Sequence, residues 1–103
     1  ATSSTGGASW MLLGRVGDSP LPGCGYWAGP AGAVTATGLG EEIARRLLCR
    51  AVYDWIAAGD SPEQACRKGV ALYPKEIPIG LLAVGKESRA YCANRDMAVA
   101  VGE

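Results

Sequence analysis

Histidine and phenylalanine are both missing from this 103-residue chain. Without histidine, the Ser-His and Cys-His nucleophile pairs are excluded, and so is imidazole acid–base chemistry. An acyl-transfer reaction would need another base, and one solution is a threonine whose own terminal amine takes the proton. Net charge is also missing, since ten lysines and arginines balance ten acidic residues. With no basic stretch either, the chain lacks the electrostatic footprint of a nucleic-acid binder. No apolar run reaches the roughly 18 residues of a transmembrane helix. No basic start leads into a hydrophobic segment, so no signal peptide is visible. Cys24, Cys49, Cys66 and Cys92 are too widely spread for a zinc signature, and no histidine completes one. They read as half-buried or buried thiols, with a disulfide framework as the alternative. Neither a metal nor a cofactor is expected.

What is present is one small domain's worth of chain, or part of a larger one, with a modest stability margin. Residues 1–5 are β-prone and run into Gly6-Gly7. Residues 8–30 are loop-rich, and the apolar "SWMLL" within them suits a groove or a subunit contact. Residues 31–37, "AGAVTAT", read as a strand of small residues fit for close layer packing. A helix is predicted over 41–58, with Ile43, Leu47, Ala51 and Trp55 beside Leu48, Val52 and Ile56 on one apolar face. Its Glu41 and Glu42 fit the first turn, each with an arginine four residues on, Arg45 and Arg46. These charges need no chemical role. Ser61-Pro62-Glu63-Gln64 forms a capping box that opens a second helix, running to about Tyr73, with Ala65, Cys66, Gly69, Val70 and Tyr73 as its buried stripe. Strands are predicted at about 78–84, 88–93 and 96–101. The order implies an α+β layer structure, two helices on an antiparallel sheet with an edge left open.

Three stretches could carry chemistry. In "GRVGDSP", residues 14–20, Arg15 and Asp18 stand three apart between turn formers. This is either a solvated turn or a grip for a ligand carrying both charges, with Arg15 on a carboxylate and Asp18 on an ammonium. Thr37-Gly38-Leu39-Gly40 joins a strand to a helix start, where backbone N–H groups can meet an anion or a developing oxyanion. A ligand-free helix entry is the alternative. The stretch has neither the third glycine of a dinucleotide fingerprint nor the Gly-Lys-Ser/Thr of a phosphate loop. Thr5-Gly6-Gly7 places a further hydroxyl at a strand end.

Taken in order, "TSSTGG", "GRVGDSP", "GAVTATGLGEE" and "NRDMAVAV" resemble the C-terminal (β) subunit of the asparaginase type 2 family. That family includes plant-type L-asparaginases with isoaspartyl peptidase activity and glycosylasparaginases, all N-terminal nucleophile hydrolases. The resemblance covers nearly the whole chain. It implies an αββα sandwich formed with an α subunit from the same self-cleaving precursor, and an (αβ)2 assembly. It also implies amide hydrolysis of asparagine or a β-aspartyl bond, with the cytoplasm as location, or the lysosome or periplasm for the glycosylasparaginase branch.

By the same resemblance, Arg15 is similar to the arginine that binds the substrate α-carboxylate, and Asp18 to the aspartate that binds its α-ammonium. Thr37 and Gly38 look like the oxyanion pair, through a hydroxyl and a backbone N–H. Gly40 is similar to the glycine whose carbonyl helps hold the amine, and Thr5 to the threonine that helps activate the nucleophile.

Departures are visible too. The family's nucleophilic threonine precedes the segment that matches Thr2–Gly7, so it is expected upstream of Ala1, and residues 1–103 alone are expected to be inactive. "GCGYWAGP" is one residue shorter than the corresponding Asp-rich loop, and "SWMLL" is more apolar than its counterpart. Gly6-Gly7 and Glu41 lean toward the asparaginase/isoaspartyl branch, whereas "GDSPEQAC" leans toward glycosylasparaginase. From other classes, a non-catalytic amino-acid-binding or assembly relic and a phosphate module built on Gly38-Leu39-Gly40 remain as readings.

Overall fold

A computed structural model describes residues 1–4 and 12–102. Four strands form one antiparallel sheet in chain order: β1 (Tyr26–Gly29), β2 (Gly32–Gly38), β3 (Ile79–Val84) and β4 (Arg89–Ala93). Between β2 and β3 the chain leaves the sheet for three helices, α1 (Gly40–Arg46), α2 (Leu48–Ala57) and α3 (Pro62–Ala71). The result is the expected α+β layering.

Alternation on the strands decides which face is covered. Val34 and Ala36 of β2 and Ile79, Leu81 and Ala83 of β3 point under the helices and are buried. They meet Ile43, Leu48, Cys49, Val52 and Ile56 above, with Ala65, Cys66 and Tyr73 from α3 and its end. The small side chains of β2 allow this close approach. Gly69 serves the same need on α3, because a Cβ there would lie 2.7 Å from Leu81 and 2.8 Å from Val52. Among the described residues no helix covers the opposite face of the sheet, and Leu82, Val84 and Tyr91 on it are each about half exposed.

The structure corrects several boundaries. Tyr26–Gly29, read as loop from its glycines and proline, is a strand paired through Trp27↔Val34, so the sheet has an extra member. Residues 96–101 form no strand, and residues 1–4 are not in the sheet. The remaining β-prone position, Thr5, lies outside the described residues.

The predicted helix over 41–58 is two helices. Leu47 adopts a left-handed conformation, φ 49° and ψ 51°, which closes α1 and starts α2 in a new direction. Leu47 is consequently about half exposed rather than on the apolar face. The expected pairs along one helix change with it. Glu41 bonds Arg15 instead of Arg45, Arg45 reaches Glu42 at 3.6 Å, and Arg46 stacks over Tyr73. The second helix starts as expected, with both capping-box bonds of Ser61 and Gln64 in place.

The break at Leu47 is anchored from below. The first free N–H groups of α2, on Cys49 and Arg50, donate to the carbonyls of Cys24 and Gly23 at 3.3 and 2.9 Å. The loop before β1 thus caps α2 with backbone groups. A left-handed leucine costs roughly 1–2 kcal/mol that glycine would not incur. Leu47→Gly is therefore expected to stabilise the protein by about 0.5–1 kcal/mol, since greater unfolded-chain freedom offsets part of the relief. The urea midpoint of the two proteins checks this.

Candidate active site

At the end of β2 nearest α1 this opposite face opens into a cleft of about 700 Å³, lined among others by Arg15, Asp18, Thr37, Gly38, Tyr91 and Met97. Four of the six residues expected to act on substrate thus share one cavity. Gly40 lies buried directly behind them, and Thr5 lies outside the described residues. Nothing of Trp10 or Met11 is described either, while Leu12 and Leu13 of "SWMLL" are fully exposed.

The loop that carries Arg15 and Asp18 is built on the Asp18 backbone. Its carbonyl accepts the N–H groups of Leu21 and Gly25, at 3.0 and 3.1 Å. Gly25 must be glycine, since a Cβ would stand 2.6 Å from that carbonyl oxygen. Gly25 then accepts the Ala36 N–H, which ties the loop to β2. The Ser19 hydroxyl donates to the Ser4 carbonyl, bringing the first residues to the cleft rim.

These bonds bury the Asp18 side chain, which is only 6% exposed. Its Oδ2 accepts no hydrogen bond among the described residues. Burial pushes the carboxyl above its ordinary value, while its own backbone N–H and the charge of Arg15 pull the other way and Glu41 adds to the push. An ionised, unpartnered oxygen at this depth is costly unless a donor reaches it.

Arg15 is held in a slot between two glycines. A Cβ on Gly17 would lie 2.8 Å from its guanidinium, and one on Gly40 would lie 2.9 Å from it and 2.7 Å from Asp18 Oδ1. Its Nε donates to Glu41 Oε1 at 2.8 Å. That bond raises the Arg15 value and lowers the Glu41 value from their ordinary ones. Glu41, like the lining residues Tyr91 and Met97, was not singled out from the sequence as a site residue. Its signal pointed to the helix dipole, which explains an acidic first turn without any partner.

Thr37 and Gly38 end β2 in the open. Gly38 has φ +132°, and a Cβ there would strike the Pro78 carbonyl at 1.9 Å. The Leu39 N–H donates to that carbonyl at 3.1 Å, toward β3, whereas the Ala36 N–H points to the other edge and Gly25. Successive N–H groups alternate along an extended strand, so the Gly38 N–H is directed away from β3, to the side where the Asp18 loop lies. Helix α1 is only seven residues long. The strand end rather than a long helix dipole therefore supplies what donors the site has.

All four cysteines are free thiols, with Cys24, Cys49 and Cys66 buried and Cys92, which lines the cleft, half-buried. Burial pushes Cys66 up to about 12 and raises Cys49 for the same reason. Both behave as small apolar side chains and not as nucleophiles.

A buried acid and a wedged guanidinium thus stand beside an open strand end on an α+β layer. The sequence comparisons identify the family. The family model described as Asparaginase, Asparaginase_2, matches residues 1–102, and the chain belongs to that family. It is 40% identical over 79 residues to the N(4)-(β-N-acetylglucosaminyl)-L-asparaginase of Rattus norvegicus, covering 76% of this chain and 23% of that protein. The enzyme of the same name from Elizabethkingia miricola is 35% identical over 102 residues, covering 86% and 30%. A plant-type L-asparaginase of Pyrobaculum calidifontis is 37% identical over 106 residues, covering 99% and 36%. The chain thus spans about a quarter to a third of the length of these relatives. Among the described residues, no helix is long and apolar enough to cross a membrane.

The raised Asp18 value has a sign. A carboxyl that holds its proton more tightly in the fold contributes stability below the unfolded value, and that contribution is lost as pH rises through the folded one. Asp18→Asn keeps the shape without the charge. It is expected to be more stable than the wild type at pH 7, with the gap narrowing as pH falls through the raised folded value toward the ordinary 3.8. Denaturation midpoints of both proteins across that range check the direction.

Proposed function

We propose that this chain is the substrate-gripping part of an amidohydrolase that cleaves the side-chain amide of L-asparagine or a β-aspartyl peptide. The observation that carries the reading is the buried Asp18 Oδ2, which accepts no hydrogen bond among the described residues and lies beside Arg15 in the cleft that also holds Thr37 and Gly38. An amino acid's α-ammonium supplies the donors that Asp18 lacks, and its α-carboxylate meets the Arg15 guanidinium. The two charged ends fix the substrate, and its side-chain carbonyl then falls toward the end of β2.

In this reading, Thr37 Oγ1 and the Gly38 N–H stabilise the oxyanion that forms when a threonine attacks that carbonyl. The nucleophile is an N-terminal threonine outside residues 1–103, freed by autoproteolysis, with its own amine as base and Thr5 as its hydrogen-bonding neighbour. The Gly40 carbonyl helps hold the ammonium. Glu41 keeps the Arg15 guanidinium in plane. The sheet face opposite the helices, with half-exposed Leu82, Val84 and Tyr91, receives the second sheet of an αββα sandwich from an α subunit. Residues 1–103 then form the β-subunit portion of one such domain.

The glycosylasparaginase reading is favoured by relatives of that name at 35–40% identity. Hydrolysis of β-Asp-Leu, asparagine and GlcNAc-Asn by the full-length protein separates the two. For the preferred substrate, Asp18→Ala is expected to raise KM strongly, through loss of the ammonium site. Thr37→Ala is expected to lower kcat by about 10²–10³, the usual effect of a lost oxyanion donor. A kcat within a factor of two of wild type would remove Thr37 from this role.

A further inference from the structure

Gly38 has no side chain to fix it, and its place is set by the backbone opposite. Its neighbour Leu39 donates to the Pro78 carbonyl at 3.1 Å, and Gly38 packs so tightly on that carbonyl that no Cβ fits. The Pro78 carbonyl therefore fixes the Gly38–Leu39 peptide and the Gly38 Cα, and so the place of the strand end from which the Gly38 N–H projects. Pro78 itself has no N–H with which to hold its place.

The adjoining bonds come from one side chain. Asn94 follows β4 in the turn at 94–95, and its amide spans the segment leading into β3. Asn94 Oδ1 accepts the Ile79 N–H at 2.9 Å, and Nδ2 donates to the Ile77 carbonyl at 2.6 Å and the Pro74 carbonyl at 3.4 Å. The Asn94 backbone N–H donates to the Ile79 carbonyl at 3.1 Å. Asn94 thus grips the residues on both sides of Pro78. Arg95 adds a bond from Nη2 to the Lys75 carbonyl at 2.8 Å. Asn94 is half-buried, and both ends of its amide are used, which a turn residue chosen only for its backbone would not require.

We infer that Asn94 is a positioning residue that places the Gly38 backbone through the Pro78 carbonyl, an inference that rests on the reading of Thr37 and Gly38 as the oxyanion pair. Asn94 does not line the cleft that holds Arg15 and Asp18, so its loss should leave substrate binding in place and weaken only what forms in the transition state. Displacing a catalytic contact by about 1 Å can cost about 100-fold in rate.

The test uses the full-length enzyme with Asn94→Ala and Asn94→Asp, and Thr37→Ala in parallel. Aspartate keeps the acceptor for the Ile79 N–H but turns an oxygen toward two carbonyls. Both Asn94 variants are expected to lose about 10-fold or more in kcat, with KM within about threefold of wild type. The double variant with Thr37→Ala should lose less than the product of the single effects, because both act on one oxyanion. If Thr37→Ala lowers kcat and the Asn94 variants do not, or lower kcat/KM only through KM, the positioning role is overturned. If Thr37→Ala itself leaves kcat unchanged, the oxyanion reading fails first. Failure of both Asn94 variants to fold would also overturn the inference, because a positioning residue requires a fold that stands without it.

Discussion

The burial of Asp18 is the constraint on which most of the chain's polar architecture depends. A carboxylate placed at 6% exposure must be surrounded by backbone that is itself satisfied. The Asp18 carbonyl does this by receiving Leu21 and Gly25, and the loop so formed supplies the Gly23 and Cys24 carbonyls that cap α2. The same loop passes its register to β2 through Gly25 and Ala36. One buried acid thus links the site, the start of a helix and the edge of the sheet.

Glycine is the means by which charged groups reach the interior. Gly17, Gly25 and Gly40 each face a part of the Arg15–Asp18 pair at a distance that no Cβ could share. Gly38 does the same against the Pro78 carbonyl. The stability these residues forgo in chain entropy is returned as geometry, because two opposite charges are held at fixed positions around an open cleft. For the zwitterionic substrate proposed above, such fixed charges amount to preorganisation.

The two faces of the sheet tell different stories. One carries a dry core of small and branched residues under the helices, with Ile43, Leu48, Ile79 and Leu81 almost fully removed from water. The other leaves Leu82, Val84 and Tyr91 half exposed and carries the cleft. Sheets in two-layer folds with one bare apolar face are stabilised when a further layer covers it. The site sits where such a layer would meet the end of β2, so access to it and the burial of that face are tied together.

Periodicity by itself determined the helical content, the α3 cap at Ser61, the small-residue strand through Val34 and Ala36, and the two later strands near 79–84 and 89–93. The loop that places Arg15 and Asp18 together and the Thr37–Gly38 strand end were also legible, because turn formers and glycines mark them locally and a family's motif order runs through them. Three features were decided only by the tertiary structure. The helix broke at Leu47 because the Gly23–Cys24 carbonyls captured the next turn's N–H groups, and nothing in an apolar stripe encodes that capture. Tyr26–Gly29 became a strand because β2 offered an unpaired edge, which outweighed its glycines. Glu41 reached Arg15, and Asn94 reached the segment leading into β3, through contacts 26 and 15–20 residues away in sequence. Local patterns record propensity and facing, whereas which acid reaches which guanidinium, and which amide holds which carbonyl, is fixed only when the layers pack.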